Sequence, residues 1–136
     1  MKIATKTRYA LRVMIDVAAH DEEGCVPLKD VAERQGISKK YLEQVVSPLV
    51  SQSLLKVTRG HKGGYQLTRK PKEITCAQIV SATENGLELL DCLSGEVVCE
   101  REGICVSKNI WGGLERTMTE YLESITLQDI LDNNIC

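Results

Sequence analysis

Apolar side chains in the first third of the chain recur every three or four residues, in three separate runs. This spacing is typical of amphipathic helices, and it predicts helices from Thr5 to about His20, from Leu28 to Gln35 and from Lys39 to about Val50. Ser38 is a good N-cap residue for the third helix, and Pro48 inside that helix predicts a kink or an early weakening.

The connections after these runs are short and rich in glycine. Only residues 35–38 join the second predicted helix to the third, which indicates a helix-turn-helix, although a generic helical hairpin would share this pattern. Two short strands, residues 54–58 and 65–67, then flank the basic turn 59–64 and predict a β-hairpin. We expect the two consecutive glycines of this turn to supply its positive-φ positions. The order of three helices followed by a β-hairpin predicts a mainly α fold with a small hairpin, the winged helix-turn-helix.

The second half carries weaker helical signals. Thr75 and Gln78 form a capping box for a helix that ends near Thr83. A narrow apolar seam then marks a long helix from about Ser107 to Ser124, and a short helix, Leu127 to Leu131, follows. The seam consists of Trp111, Leu114, Met118, Tyr121, Leu122 and Ile125. Packing onto the winged helix of its own chain is one interpretation, and pairing with a second copy of the chain is favoured.

The 136 residues therefore divide into three predicted segments. Residues 1–72 form a DNA-binding winged helix, residues 73–106 a connecting helix and a cysteine loop, and residues 107–136 a dimerisation helix with the short C-terminal helix. Charged residues near the N-terminus interrupt its apolar residues, which predicts neither a signal peptide nor a membrane span. We accordingly expect a cytoplasmic protein.

Charge separates the two halves of the chain. Residues 1–72 carry 14 Lys and Arg against 7 Asp and Glu, whereas residues 73–136 carry 3 against 12. A basic first half suits binding to a polyanion such as DNA. Recognition helices contact bases with their N-terminal residues, and a wing contacts the DNA backbone or the minor groove. The candidates for contact with double-stranded DNA are Ser38, Lys39, Lys40, Tyr41, Glu43, Gln44, Arg59, His61 and Lys62.

Three cysteines, Cys92, Cys99 and Cys105, lie seven and six residues apart in the predicted loop. Thiolates are soft ligands for zinc, cuprous ions and iron–sulfur clusters, and three on one loop can surround one centre. The spacing alone fits a metal site, a disulfide with a spare thiol, or three ordinary thiols. A reducing cytoplasm disfavours the disulfide. We expect Cys25 and Cys76 to be small buried hydrophobic residues.

Five motifs in the first half of the chain are typical of one family of regulators. They are Thr7-Arg8-Tyr9-Ala10, Val26-Pro27-Leu28, Glu33-Arg34-Gln35-Gly36-Ile37-Ser38, Tyr41-Leu42-Glu43-Gln44 and Arg59-Gly60-His61-Lys62-Gly63-Gly64-Tyr65. With these motifs, the chain resembles, from about Met1 to Leu131, the IscR-type iron–sulfur-cluster regulators of the winged-helix superfamily called Rrf-two. The resemblance implies a cytoplasmic bacterial homodimer that binds a palindromic operator, with Cys92, Cys99 and Cys105 as ligands of a cluster.

Two positions depart from this family pattern. Lys108 stands where well-known cluster-binding members have a histidine, and Arg8 is what the chain offers where nitric-oxide-sensing relatives use a carboxylate near the N-terminus. The fourth ligand is therefore open between loop oxygens (Asp91, Glu100 or Glu102) and, as we favour, a side chain of the winged helix such as Glu43. A 2Fe–2S cluster is favoured, with 4Fe–4S as the alternative.

The leading hypothesis is a transcription factor that senses an iron–sulfur cluster and controls cluster-assembly genes. A nitric-oxide sensor or a cluster-free repressor of cysteine metabolism are alternatives within the same superfamily. An iron–sulfur electron-transfer protein is the alternative from another class. No catalytic constellation is recognisable, since His20 and His61 lie in separate segments, and we expect no enzyme activity.

Overall fold

The computed structural model describes residues 2–84 and 86–135, so Asn85, which opens the predicted loop, and Cys136 lie outside the described residues. Seven helices and one antiparallel hairpin confirm the predicted fold class. The helices are α1 (Thr5–His20), α2 (Leu28–Gln35), α3 (Lys39–Ser51), α4 (Cys76–Glu84), α5 (Asp91–Ser94), α6 (Ser107–Glu123) and α7 (Leu127–Leu131), and the strands are β1 (Leu55–Thr58) and β2 (Gly64–Leu67).

Helix α1 lies at the centre of the core and packs against α2, α3, α4, α7 and β2. The face that the apolar spacing predicts is the buried one, with Val13, Met14 and Val17 fully inside. Ile79 of α4 and Leu127 of α7 are buried in the same core as the winged helix. Residues of all three predicted segments therefore contribute to one hydrophobic core.

The hairpin pairs Leu55 with Leu67 and Thr58 with Gly64. Its glycines differ from the expectation, because Gly60 has a φ of +114°, whereas Gly63 does not have a positive φ. Gly63 is required instead by a close approach: a Cβ there would lie 2.1 Å from the Thr58 carbonyl oxygen. At Gly64, where φ is +158°, a Cβ would lie 2.5 Å from the Val26 carbonyl.

The hairpin is attached to the helices by backbone hydrogen bonds. Val26, which precedes α2, exchanges two bonds with Tyr65, each with an N–O distance of 2.8 Å. In the turn between α2 and α3, Gly36 adopts a left-handed conformation with φ 64° and donates its N–H to the α2 carbonyls of Ala32 and Glu33. These bonds fix the hairpin and α3 relative to α2.

Helix α4 begins at the capping box that the sequence indicates, and α7 begins at a second box of the same kind. Thr75 and Gln78 bond reciprocally before α4, and Thr126 and Asp129 do so before α7. A β-bridge between Thr75 and Thr126 holds these two caps side by side. In the part of the chain that the structure describes, no helix is long and apolar enough to cross a membrane.

Helix α3 continues past Pro48 to Ser51, close to its predicted end. Two details differ from the sequence-based expectations. The cysteine segment contains the single helical turn α5, which is too short to produce an apolar period. Cys76 is buried as expected, but Cys25 is only half-buried, in the short connection before Val26.

Candidate DNA interface and cysteine segment

The first turn of α3 presents polar side chains to solvent. The Ser38 hydroxyl accepts the N–H of Tyr41 at 3.2 Å and so caps the helix. Lys39, Lys40 and Gln44 are exposed. The N-terminal end of the helix is thus free of the core on the side that carries the predicted DNA-contacting residues.

The wing lies beside this turn. Lys39 and Glu43 of α3 and Arg59 of the wing line one open groove of about 370 Å³, so the structure brings these three predicted residues together. Tyr65 also lines the groove, and burial, followed by the charge of Glu43, raises the pKa of its hydroxyl. His61, like Lys62, is exposed at the wing tip outside this group.

Tyr41 differs from its neighbours because its ring is half-buried. It packs edge-on against the ring of Tyr9 in α1, with 5.7 Å between the ring centroids. The guanidinium of Arg12 lies 5.2 Å from the centre of the Tyr9 ring, within the range of a cation–π contact. Tyr41 is therefore part of the α1–α3 packing as well as a candidate for DNA contact.

An ion pair that the sequence analysis missed joins α1 to α2. Asp16 is 4% exposed and accepts hydrogen bonds from the Arg34 guanidinium, the shortest 2.6 Å, and from the Gln35 amide at 2.9 Å. Burial of Asp16 opposes its ionisation, but the bonds from Arg34 and Gln35 outweigh burial and lower the pKa of Asp16. A lone acid on an apolar helical face was the available signal, because such a residue needs a partner.

The cysteine segment runs from Gly86 to α6. Cys92, Cys99 and Cys105 are all half-buried free thiols. The Sγ of Cys105 lies 3.3 Å from the Ser107 hydroxyl, and hydrogen bonds from this hydroxyl and from the Lys108 backbone lower the pKa of Cys105. The segment therefore joins α6 at a thiol that is stabilised as a thiolate.

Lys108 lies among these thiols. Its ammonium donates to Glu102 at 2.6 Å, and this bond is the main cause that raises the pKa of Lys108, with smaller contributions from Cys92 and Cys99. A lysine that stays protonated has no lone pair for a metal. Lys108 can place a positive charge near the thiolates, but it cannot replace the histidine ligand.

The donor set suits an iron–sulfur cluster in kind, since Cys92, Cys99 and Cys105 are free thiols within one short segment. Among residues 2–84 and 86–135, however, no group of three His, Cys, Asp or Glu side chains is close enough to hold a metal ion. The segment would have to close around a cluster. Cys76 is unsuitable, because burial and then the charge of Asp129 raise its pKa.

Known proteins share this architecture over nearly the whole length of this chain. The chain is 38% identical over 133 residues to the HTH-type transcriptional regulator IscR of Pectobacterium atrosepticum, covering 98% of this chain and 80% of the relative. The solved structure of CymR, the global cysteine regulator of B. subtilis, superposes with a TM-score of 0.82 at 35% identity, with 98% of each chain covered. T. potens IscR superposes with a TM-score of 0.78 at 36% identity, covering 99% of this chain and 89% of that one.

The family model Rrf2, described as an iron-dependent transcriptional regulator, matches residues 3–133. The resemblance noted in the sequence is thereby confirmed, and relatives of this kind are regulators and not enzymes. The chain is a DNA-binding transcriptional regulator that belongs to the Rrf2 family.

Proposed function

We propose that this regulator senses an iron–sulfur cluster held by Cys92, Cys99 and Cys105 and thereby controls genes for cluster assembly in the cytoplasm. The observation that carries the proposal is the set of three half-buried free thiols in the one segment that leads into α6, with Cys105 bonded to Ser107. The iron-dependent family description agrees with this choice of metal.

DNA reading is assigned to the groove between α3 and the wing. The exposed first turn of α3 enters the major groove, and Arg59, His61 and Lys62 contact the backbone or minor groove. Residues 1–72 supply a net charge of +7 toward the phosphates. Glu43 is the acid in this groove and limits which bases are accepted, since Glu accepts a hydrogen bond from cytosine N4.

The proposal includes a homodimer on a palindromic operator. No residue of α6 is buried within one chain, and Trp111 and Tyr121 remain 45% and 55% exposed. A second copy of α6 would cover these side chains, and two-fold symmetry would place two winged helices on the two halves of a palindrome.

The cluster would supply a centre that oxidants, nitric oxide or iron shortage can remove. The residues of this chain would provide three thiolates, and a fourth, non-thiolate ligand would come from outside the segment, with 2Fe–2S favoured over 4Fe–4S. Lys108 remains paired with Glu102 and offsets part of the negative charge of the thiolates. Loss of the cluster would change which operator is preferred, without abolishing DNA binding.

Anaerobic purification tests the cofactor directly. We expect visible absorption and stoichiometric iron and sulfide in the unmodified protein and their loss in Cys92→Ala, Cys99→Ala and Cys105→Ala. Cys25→Ala is the matched control, because Cys25 is also a half-buried free thiol but lies outside the segment. Full iron and sulfide content in the three segment variants would remove the cysteine segment as the site.

Operator selection with cluster-loaded and apo protein then tests sensing. We expect the two forms to select different operators and the three cysteine variants to behave as apo protein. Equal preference in all forms would contradict the switch.

A colourless, metal-free protein would support a second candidate, a cluster-free regulator of cysteine metabolism. The structural similarity to the global cysteine regulator CymR favours this candidate, as does the open arrangement of the thiols in the described residues.

A further inference from the structure

A carboxylate from the far end of α4 completes the N-terminus of α1. The N-cap residue Ala4 has no side chain that can cap the helix. Glu84 takes this role from 80 residues away: its Oε1 accepts the Ala4 N–H at 3.2 Å and the Thr7 hydroxyl at 2.5 Å. Thr7 is only 2% exposed, and its oxygen is also 3.0 Å from the Thr83 hydroxyl. A negative charge at this end also complements the helix dipole.

Glu84 also lies next to the cysteine segment in the chain. Glu84 is the last residue of α4, and the cysteine segment begins two residues later, at Gly86. The carboxylate that caps α1 therefore lies where α4 ends and the cysteine segment starts.

Helix α1 also contacts the start of α3, the proposed DNA-reading helix. Tyr9 follows Thr7 by two residues and packs against Tyr41 in the first turn of α3. Arg12, one turn later, contacts the Tyr9 ring and donates to the Gln35 side chain at 3.0 Å and to its carbonyl at 2.5 Å, beside the turn that leads into α3. The end of α4 and the start of α3 are thus joined through the first turns of α1, whose backbone connects the Thr7–Glu84 contact to the Tyr9–Tyr41 contact.

We infer that Glu84 is a positioning residue for DNA recognition, which sets the place of the first α1 turn and, through Tyr9, that of Tyr41. The inference rests on the proposed reading of DNA by α3. It assigns to one carboxylate the link between the cysteine segment and the recognition helix, and it holds with or without a metal in the segment.

The charge of Glu84 makes the direction of the change in operator affinity informative. Removing an acid should by itself strengthen binding to a polyanion. We expect Glu84→Ala to weaken operator affinity nevertheless, by up to about tenfold, because the effect on binding cannot exceed the free energy of the one helix-capping contact that is lost. Glu88→Ala removes the same charge four residues later, where the described structure shows no hydrogen bond to its side chain, and should bind as tightly as the unmodified protein or more tightly.

Two further variants separate positioning from charge. Glu84→Gln keeps an oxygen that accepts from Ala4 and Thr7 and should restore most of the affinity. Thr7→Val removes the hydroxyl at constant shape and should weaken binding by a similar factor, with little added effect in combination with Glu84→Ala. Equal affinities of Glu84→Ala and Glu88→Ala, measured on operators selected by the unmodified apo protein well below its melting temperature, would overturn the inference.

Amide hydrogen exchange supplies a readout that needs no DNA. We expect faster exchange at the start of α1 and also around Tyr41 in Glu84→Ala, but not in Glu88→Ala. Faster exchange confined to α1 would show a local cap and would refute the positioning role. If the unmodified protein binds no DNA while the Tyr41 region still responds to Glu84→Ala, the proposed function fails and the role in DNA recognition falls with it, whereas the structural coupling between Glu84 and the start of α3 stands.

Discussion

The winged helix and helix α6 use their apolar residues in opposite ways. Val13, Met14, Val31, Leu42 and Leu49 of the winged helix are all fully buried. In α6, by contrast, no residue is buried, although the helix carries an apolar seam of comparable length. The winged helix completes its packing with residues of its own chain, whereas α6 packs one side against α4 and leaves Trp111 and Tyr121 of its seam exposed.

Charge follows the same division. The basic residues are concentrated before residue 73, and the acidic residues after it. Attraction to DNA therefore acts on the well-packed part of the molecule, and repulsion keeps the cysteine segment and α6 away from the phosphates. The difference indicates that the first half is built to read a fixed surface and the second to respond to partners.

The largest expected effect is the loss of the ion pair inside the well-packed half. Arg34→Ala leaves the Asp16 carboxylate buried without its cation, and we expect a loss of about 3–5 kcal/mol in unfolding free energy at neutral pH. Asp16→Ala should cost less, because the Arg34 side chain is 36% exposed and water can solvate it. Chemical denaturation checks both variants, with Arg116→Ala on α6 as control. An Arg34→Ala protein as stable as Arg116→Ala would contradict this role of the pair.

The pair also predicts a pH dependence. Because the pKa of Asp16 is lowered from 3.8 in the folded state, its contribution to stability is present above that value and is lost as the pH falls through the folded-state pKa. In Arg34→Ala, burial dominates and raises the pKa, so the destabilisation should shrink as the pH approaches 4. Denaturation between pH 7 and pH 4 measures the difference in unfolding free energy between the unmodified protein and Arg34→Ala. A difference that stays constant with pH would exclude ionised Asp16 as the cause of the destabilisation.

The next effect concerns the exposed seam of α6. Trp111→Glu places a charge where we expect the second chain, and it should weaken dimerisation by about 2–4 kcal/mol, as for a central aromatic residue of an interface. Thr117→Glu adds the same charge on an exposed position outside the seam and should leave the dimer intact. Sedimentation equilibrium distinguishes the two. Identical association of both variants would place the dimer contact elsewhere.

Local signals predicted most of the elements, whereas contacts distant in sequence were not predictable. The start of α7 was predictable because Thr126 and Asp129, three residues apart, form its cap. The acceptor for Thr7 was not, because Glu84 lies 77 residues away. The wing glycines were predictable as turn residues, but the need for Gly64 comes from Val26, which is remote in sequence. The cysteine spacing identified candidate ligands without predicting how far apart the thiols lie.

A smaller effect is expected for the basic residues of the groove. Arg59→Ala should weaken operator binding by about 1–3 kcal/mol if the guanidinium reads a base, and should relax the preference at that base pair. Lys72→Ala removes the same charge outside the groove, at an exposed position. Binding isotherms at several salt concentrations give the number of phosphate contacts, at roughly 0.9 log units of affinity per contact per log of salt. An affinity that does not change with salt would contradict DNA binding by this face.

The smallest change in affinity, and the finest test of the groove, is expected for Glu43→Ala. Glu43 faces the wing, where its charge acts on Tyr65, and it adds repulsion to a surface that otherwise attracts phosphates. Its removal should leave overall affinity undiminished and widen the set of accepted operators, because sequences that offer only acceptors to Glu43 are no longer rejected. Glu33→Ala removes an exposed acid of α2 and should not alter selectivity. Binding selection from random duplexes decides the matter, and an unchanged preference in Glu43→Ala would leave Glu43 as a charge that only favours the α3 N-terminus.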